Sequence, residues 1–309
     1  MRTIKIKTPA TIANIVCGFD VLGMCLHEPY DVMEVTLLNE KKIVIQNTDD
    51  FYLPTEPHLN TAGAPLIAML ETIEEEIGFQ ITIQKNIKPG SGLGSSAASA
   101  TGAVVAANYL LNNRFSNTDL VRFAMHGEKV ASGVKHADNV APGIFGGITL
   151  IRSIFPLDVV SISFPELFIT IIHPQIEITT ADARQILRKE VLLKDAIRQW
   201  GNIAGLVTGF IKEDYDLISR SLEDVIIEPV RSVLIPGFVD IKKESKEAGA
   251  LGGGISGSGP SLFMMSRDKK TATEIEGIMK NIYNSIGLAY YTYVTTVNKN
   301  GCIISESDH

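Results

Sequence analysis

Three glycines at alternate positions, Gly90, Gly92 and Gly94, followed by Ser95, Ser96 and a run of small residues, constrain this chain more than any other segment. Glycine adopts backbone angles that other residues reach only with strain, and without a Cβ its N–H approaches a ligand directly. Ahead of the loop, Phe79, Ile81 and Ile83 alternate as in a strand, and behind it the spacing predicts a helix from about Ser96 to Leu111. Strand, glycine loop and helix start together suit a phosphate, because the first helical turn offers unpaired N–H donors and roughly half a positive charge. The stretch Lys88-Pro89-Gly90-Ser91-Gly92-Leu93-Gly94-Ser95-Ser96-Ala97-Ala98-Ser99 therefore predicts an anion cradle made of backbone, with no cation from Pro89 to Ser99. A Walker-type loop is excluded, since it needs Gly-Lys-Ser or Gly-Lys-Thr where Gly94-Ser95-Ser96 stands. Ser95 also breaks the dinucleotide pattern, and Ser95, Ser96, Ser256 and Ser258 all fail the G-x-S-x-G pattern of hydrolases.

The overall charge makes such a local cradle necessary. The 309 residues carry 28 Lys and Arg against 35 Asp and Glu, a net charge of −7, which is the wrong sign for a chain that binds nucleic acid or an anionic membrane. Hydrophobic residues make up 45% and charged residues 20%, which excludes disorder and provides for a substantial core. Cys17, Cys25 and Cys302 are odd in number and lack the paired spacing of a zinc or redox site, so free thiols in a reducing compartment are expected. No stretch approaches the roughly 18 apolar residues that span a bilayer, and a cytoplasmic protein without a targeting segment is the expectation.

Period-2 alternation predicts strands at 3–8, 31–38 and 41–46, and the spacing of Leu66, Leu70, Ile73 and Ile77 predicts an amphipathic helix from 60 to 77. A helix begins in the Ser116 to Thr118 cap region and runs to Ser132. Strands are predicted at 145–154 and 167–172, and Pro156 and Pro165 suggest a boundary near 155, dividing the chain into 1–155 and 156–309. Beyond it, helices are predicted at 181–199, 201–212, 214–222, 229–235, 238–248 and 269–285, with strands at 262–265 and 290–297. The class is α+β.

The loop resembles the second motif of the GHMP kinases, which phosphorylate homoserine, galactose, mevalonate and phosphomevalonate. Pro9-Ala10-Thr11-Ile12-Ala13-Asn14 and Gly18-Phe19-Asp20-Val21-Leu22-Gly23 resemble the first motif, and Leu251-Gly252-Gly253-Gly254-Ile255-Ser256-Gly257-Ser258-Gly259-Pro260-Ser261 the third. Both take the form found in the branch that acts on homoserine, as does His136-Ala137-Asp138-Asn139-Val140-Ala141-Pro142. The motifs run in family order from residue 9 to residue 261. The chain departs at Val16-Cys17-Gly18, where the family often has Gly-x-Gly, and at Leu187-Arg188, where relatives often read Leu-Pro.

The resemblance implies a two-domain fold: an amino-terminal ribosomal-protein-S5-domain-2-like domain with a left-handed crossover, and a carboxy-terminal ferredoxin-like α/β sandwich. It implies ATP and Mg²⁺ as cofactors, L-homoserine as substrate, a place in threonine biosynthesis, and a homodimer. ATP would lie against Asn60 and the loop from Pro89 to Ser99, and Ser96 and Glu128 would hold the metal. Thr180, Arg184, Arg231, Asp20, Asn14 and His136 would bind the amino acid, with the two arginines on its carboxylate, Asp20 on its ammonium and Asn14 on its hydroxyl. Two forked guanidiniums suit a carboxylate. For the proton of that hydroxyl two readings stand: Asn139 orients it and the phosphate or water takes the proton, or Asp138 acts as base. An amide cannot serve as a base.

Overall fold

The computed structural model describes residues 2–178, 183 and 185–306. Its first sheet is organised by a long strand, β2 (Leu22–Leu38), which pairs antiparallel with β1 (Thr3–Ala13), β4 (Gly78–Gln84) and β5 (Ile148–Ile154). Parallel to β4 lies β3 (Ile43–Asn47), joined to it through α1 (Gly63–Leu70), and β6 (Leu157–Ile162) forms a hairpin with β5. The sheet gives one face to α1, α2 (Ser95–Leu110), α3 (Asn117–Ser132) and α4 (Val140–Phe145), over a core that includes Met33, Val35, Phe79, Ile81 and Leu66.

The composition of α2 follows from its position. It packs between β1 and α3, and a side chain at Gly102 would stand 2.2 Å from Thr8 Cγ2. Its run of Ala97, Ala98, Ala100, Ala103, Ala106 and Ala107 is buried throughout. The start of α3 is fixed by a reciprocal cap between Ser116 and Asp119.

The second sheet holds β7 (Phe168–Pro174), β8 (Gly252–Ile255), β9 (Leu262–Ser266) and β10 (Tyr290–Thr296), in the order β10-β7-β9-β8. Between β7 and β8 the chain passes through α5 (Leu193–Lys212), α6 (Tyr215–Ser221), α7 (Glu228–Arg231) and α8 (Phe238–Glu247), and α9 (Lys269–Ser285) links β9 to β10. All its pairings are antiparallel, and the fourth-first-third-second strand order is the ferredoxin-like arrangement. Strand alternation separates two cores. Ile169, Ile171, Phe263 and Met265 face a cluster shared with Ile12, Leu22 and Met24 of the first sheet, whereas Ile172, Leu262 and Met264 face α8 and α9.

Four expectations change. The β5–β6 hairpin puts residue 155 inside the first sheet: Pro156 turns a hairpin rather than opening a linker, and the sheets divide after Ile162. The chain then returns to the first sheet through β11 (Ile303–Glu306), paired with β1. The helix expected over 60–77 spans 63–70 and closes in tight turns where Thr72 Oγ1 donates to the Met69 carbonyl at 2.7 Å. Continuing it would stack Glu74, Glu75 and Glu76 at the end of a helix where negative charge is unfavourable. The helices expected on either side of residue 200 are one helix, α5, which runs through Gly201.

Candidate active site

One cavity of about 390 Å³ brings the three motifs together. Pro89, Gly90, Gly92, Gly94, Ser95, Ser96 and Ser99 line it from the glycine loop and α2, and Asn14, Asp20, His136, Asp138, Asn139 and Arg231 from elsewhere. Gly90, Gly92 and Gly94 have φ of +74°, +80° and +66°, the left-handed region where a side chain is strained. The loop's carbonyls point away from the cavity into the neighbouring motifs. Gly92 accepts from Ser256 Oγ at 2.7 Å, Leu93 from the Thr11 N–H at 3.1 Å, and Ser91 from the Ser261 N–H at 3.2 Å. The N–H groups of Gly92 and Gly94 have no acceptor among the described residues. Leu93, Ala97, Ala98 and Ser91 do not line the cavity: Leu93 and Ala98 pack into the shared core, Ala97 into the first, and Ser91 Oγ accepts from the Leu93 N–H.

At the cradle's far edge Ser96 Oγ donates to Glu128 Oε1. Glu128 is buried, and burial raises its carboxyl above the usual carboxylate range against the smaller pull of Ser96. A buried carboxylate beside a hydroxyl is a hard-oxygen pair that a divalent cation would complete. Among the described residues no group of three or more His, Cys, Asp or Glu could cage a metal, so the pair fits an ion such as Mg²⁺ that takes its other ligands from phosphate and water.

The first motif turns through left-handed angles at residues other than glycine: Asn14, Ile15, Val16 and Asp20 have φ of 73°, 41°, 65° and 60°. For a β-branched residue such as Val16 this is an outlier of the kind that clusters at functional sites. The turn is held from within and without. Asn14 Oδ1 accepts from the Asp20 N–H at 3.0 Å, and Asn14 Nδ2 donates to the Gly257 carbonyl at 2.9 Å. Asp20 Oδ1 lies 3.7 Å from His136 Nδ1. Asn139 Oδ1 accepts from Thr11 Oγ1 at 2.8 Å beside Gly94.

Arg231, 4% exposed at the end of α7, donates through Nε to the Ala183 carbonyl at 2.9 Å and through Nη1 to Gly257 at 3.1 Å, with its guanidinium over the Phe19 ring. These contacts fix a cation in the cavity wall. Thr180 and Arg184 lie outside the described residues. Asn60 Nδ2 donates to Pro54 and its Oδ1 accepts from Ala62 and Gly63, so the side chain shapes the entry to α1, and its neighbours Leu59 and Thr61 line the cavity. Cys17 is buried, and burial pushes its thiol up to about 12, so it is an inert thiol.

Sequence reasoning missed Lys85 and Asp31, a buried ion pair beneath the loop. Asp31 Oδ1 accepts from the N–H groups of Asn86 and Ile87 at 2.7 and 2.8 Å, while Lys85 Nζ donates to the Ser95 carbonyl at 2.7 Å and to Ser99 Oγ at 3.0 Å. The cation absent between Pro89 and Ser99 thus sits behind the loop and clamps the start of α2. A signal was available: Lys85 continues the inward alternation of Phe79, Ile81 and Ile83, and Asp31 that of Met33 and Val35.

The family models described as GHMP kinases N terminal domain and GHMP kinases C terminal match residues 64–147 and 206–285. The chain belongs to the GHMP kinase family. It is 44% identical over 299 residues to the homoserine kinase of Chloroherpeton thalassium, covering 93% of this chain and 94% of that one. It is 39% identical over 309 residues to the homoserine kinase of Methanococcus vannielii, covering 99% of each. The crystal structure of homoserine kinase from Cytophaga hutchinsonii superposes with a TM-score of 0.94 at 47% identity, covering 99% of this chain and 98% of that one. Within the family, its place is among the homoserine kinases. No helix among the described residues is long and apolar enough to cross a membrane.

Proposed function

We propose that the protein transfers the γ-phosphoryl group of ATP to the side-chain hydroxyl of L-homoserine, a step toward threonine. The carrying observation is that one cavity is lined both by the glycine loop and by Asp20, His136 and Arg231, the two sets of partners that a triphosphate and an amino acid require. Phosphoryl transfer is mainly positioning and charge stabilisation. The loop N–H groups and the first turn of α2 bind the phosphates, with the clamp of Lys85 and Asp31 holding that turn in place. Mg²⁺, held by Ser96 and Glu128, would offset charge on the phosphates.

Arg231, with Arg184, takes the substrate carboxylate, and Asp20 takes its ammonium with His136 alongside. Asn14 and Asn139 orient the hydroxyl. Asn139 is itself oriented by Thr11, and the proton leaves to the phosphate or to water, so no side chain is required as base. Mevalonate-type alcohols lack the ammonium that Asp20 would bind. The test is coupled ADP release with homoserine, threonine, shikimate and mevalonate: turnover with homoserine is expected, and no ADP with homoserine refutes the reading.

A further inference from the structure

A second cavity, of about 790 Å³, opens between α6 and α8, away from the glycine loop. Its floor is apolar, formed by the buried Leu222 and Phe238 and by Gly252 at the start of β8. Its rim is basic. Lys242, Lys243 and Lys246 project from one face of α8, and Arg220 approaches from α6.

The two carboxylates that also line it, Glu223 and Asp216, are engaged by arginines from other elements: Arg198 Nη2 donates to both carboxylate oxygens of Glu223 at 2.7 and 2.8 Å, and Arg267 pairs with Asp216. Lys246 donates to Ser219 Oγ and the Leu251 carbonyl, which are neutral acceptors. Burial and then the nearby Lys242 charge hold its ammonium below the usual lysine range. Arg220 and Lys243 form no hydrogen bond or ion pair with any described residue. Three cations without a carboxylate partner therefore surround one apolar-floored hollow in a chain of net charge −7. Concave, apolar walls with a few converging charges are how small-ligand sites are built.

Two short paths tie this hollow to the active site. Lys242 pairs with Glu228, the first residue of α7, whose last residue is Arg231. Glu228 is buried, its Oε2 has no hydrogen-bond partner, and burial raises its carboxyl above the usual range. It therefore depends heavily on Lys242. The second path is β8, which leaves Gly252 at the floor and leads to Gly257, the acceptor of both Asn14 and Arg231.

We propose that the hollow is an effector site for a small organic anion, with a doubly charged head among Arg220, Lys243 and Lys246 and an apolar body against Leu222 and Phe238. Occupancy draws Lys242 from Glu228 toward the anion, unsettles α7, and weakens the hold of Arg231 on the substrate carboxylate. This last step rests on the homoserine reading above.

Phenyl phosphate is the probe, titrated calorimetrically into the full chain with a non-hydrolysable ATP analogue saturating the active site. Saturable binding is expected, weakened at least about tenfold in R220A/K243A and again in K243E. Both variants change exposed residues without partners, so the fold is retained. In steady-state kinetics phenyl phosphate should raise the homoserine KM several-fold in the parent enzyme, leave it unchanged in R220A/K243A, and spare the ATP KM. No binding, binding indifferent to R220A/K243A, or an unmoved homoserine KM overturns the proposal. Turnover of homoserine without phenyl phosphate reads the primary activity separately.

Discussion

Ser96 Oγ donates to Glu128 Oε1 across 2.7 Å and so joins the first turn of α2 to the C-terminal half of α3. Burial raises the Glu128 carboxyl above its ordinary range, which has a definite sign. The folded state holds this proton more tightly than the unfolded chain, so the contribution to stability is present below the unfolded pKa and is lost as pH rises through the folded one. At neutral pH without metal the carboxylate is a burden. Glu128→Gln should therefore raise the melting temperature of the metal-free protein near pH 7 and flatten its fall between acid and neutral pH. The same change should lower kcat at least about a hundredfold, the scale of losing one electrostatic contact to the transition state. Calorimetry across pH, paired with turnover against Mg²⁺ concentration, reads both. A less stable variant, or one with full activity, removes Glu128 from the metal site.

The Lys85 and Asp31 pair makes a different prediction, because its members are buried and also bind backbone. Removing one partner of such a pair costs about 3–5 kcal/mol by leaving the other charge uncompensated, whereas replacing both with apolar residues costs far less. Lys85→Met should lose stability on that scale, and Lys85→Met with Asp31→Leu should recover part of it. Because Lys85 clamps the Ser95 carbonyl, the double variant should still show a raised ATP KM with a nearly unchanged homoserine KM. Denaturant titration and the two KM values test this; equal shifts in both would make the pair a general support rather than a support of the loop.

These residues also show which parts of the molecule the sequence reveals. The loop, α2 and the start of α3 are legible because their signals are local: alternate glycines, a run of alanines, and the Ser116 cap with Asp119 three residues on. Strand β8 was hidden because Gly252, Gly253 and Gly254 read as loop. They are glycine because a Cβ on Gly253 would stand 2.0 Å from the Phe263 carbonyl of the next strand, a contact that arises only once the two strands pair. The short strands β6 and β11 depend on partners, β5 and β1, that supply their edges. Arg231 was distinguishable from other arginines through the family resemblance alone, since its burial arises from Phe19, Ala183 and Gly257 far along the chain. The local hydrogen bonds of Asn60 to Ala62 and Gly63 follow from its place at a turn, whereas its expected place beside ATP comes from family position alone.

Arg231 should separate the two substrates. A charged hydrogen bond is worth roughly 1.5–3 kcal/mol, so Arg231→Ala should raise the homoserine KM by roughly 10- to 150-fold and spare the ATP KM. Arg184→Ala, placed by its motif, should do the same. An unchanged homoserine KM in either variant would remove that arginine from the carboxylate site.

Asp138 and Asn139 both line the cavity, so their roles must be divided by experiment. With Asn139 oriented by Thr11 and the phosphate or water taking the proton, Asp138→Asn should keep kcat within a few-fold and leave the acid limb of the pH–rate profile in place. A loss on the order of 10³-fold together with the disappearance of that limb would make Asp138 the base.

Gly92 is the point where the loop, its backbone angles and the second domain meet. Its φ is +80°, and a Cβ would stand 2.6 Å from the carbonyls of both Ser256 and Gly259. Those atoms are backbone, so they cannot swing aside as a flexible side chain would, and Gly92→Ala must move the loop or part the two motifs. Its own carbonyl would then lose Ser256 Oγ. Gly90, with φ of +74° and nothing within 4 Å of its Cβ position, carries the angular strain without the clash. Gly90→Ala should therefore cost about 1 kcal/mol, the penalty of a left-handed angle, with ATP still bound. Gly92→Ala should cost more in stability and abolish measurable ATP binding by calorimetry. Equal behaviour of the two variants would mean that the loop's angles, rather than its contact with the third motif, set the phosphate cradle.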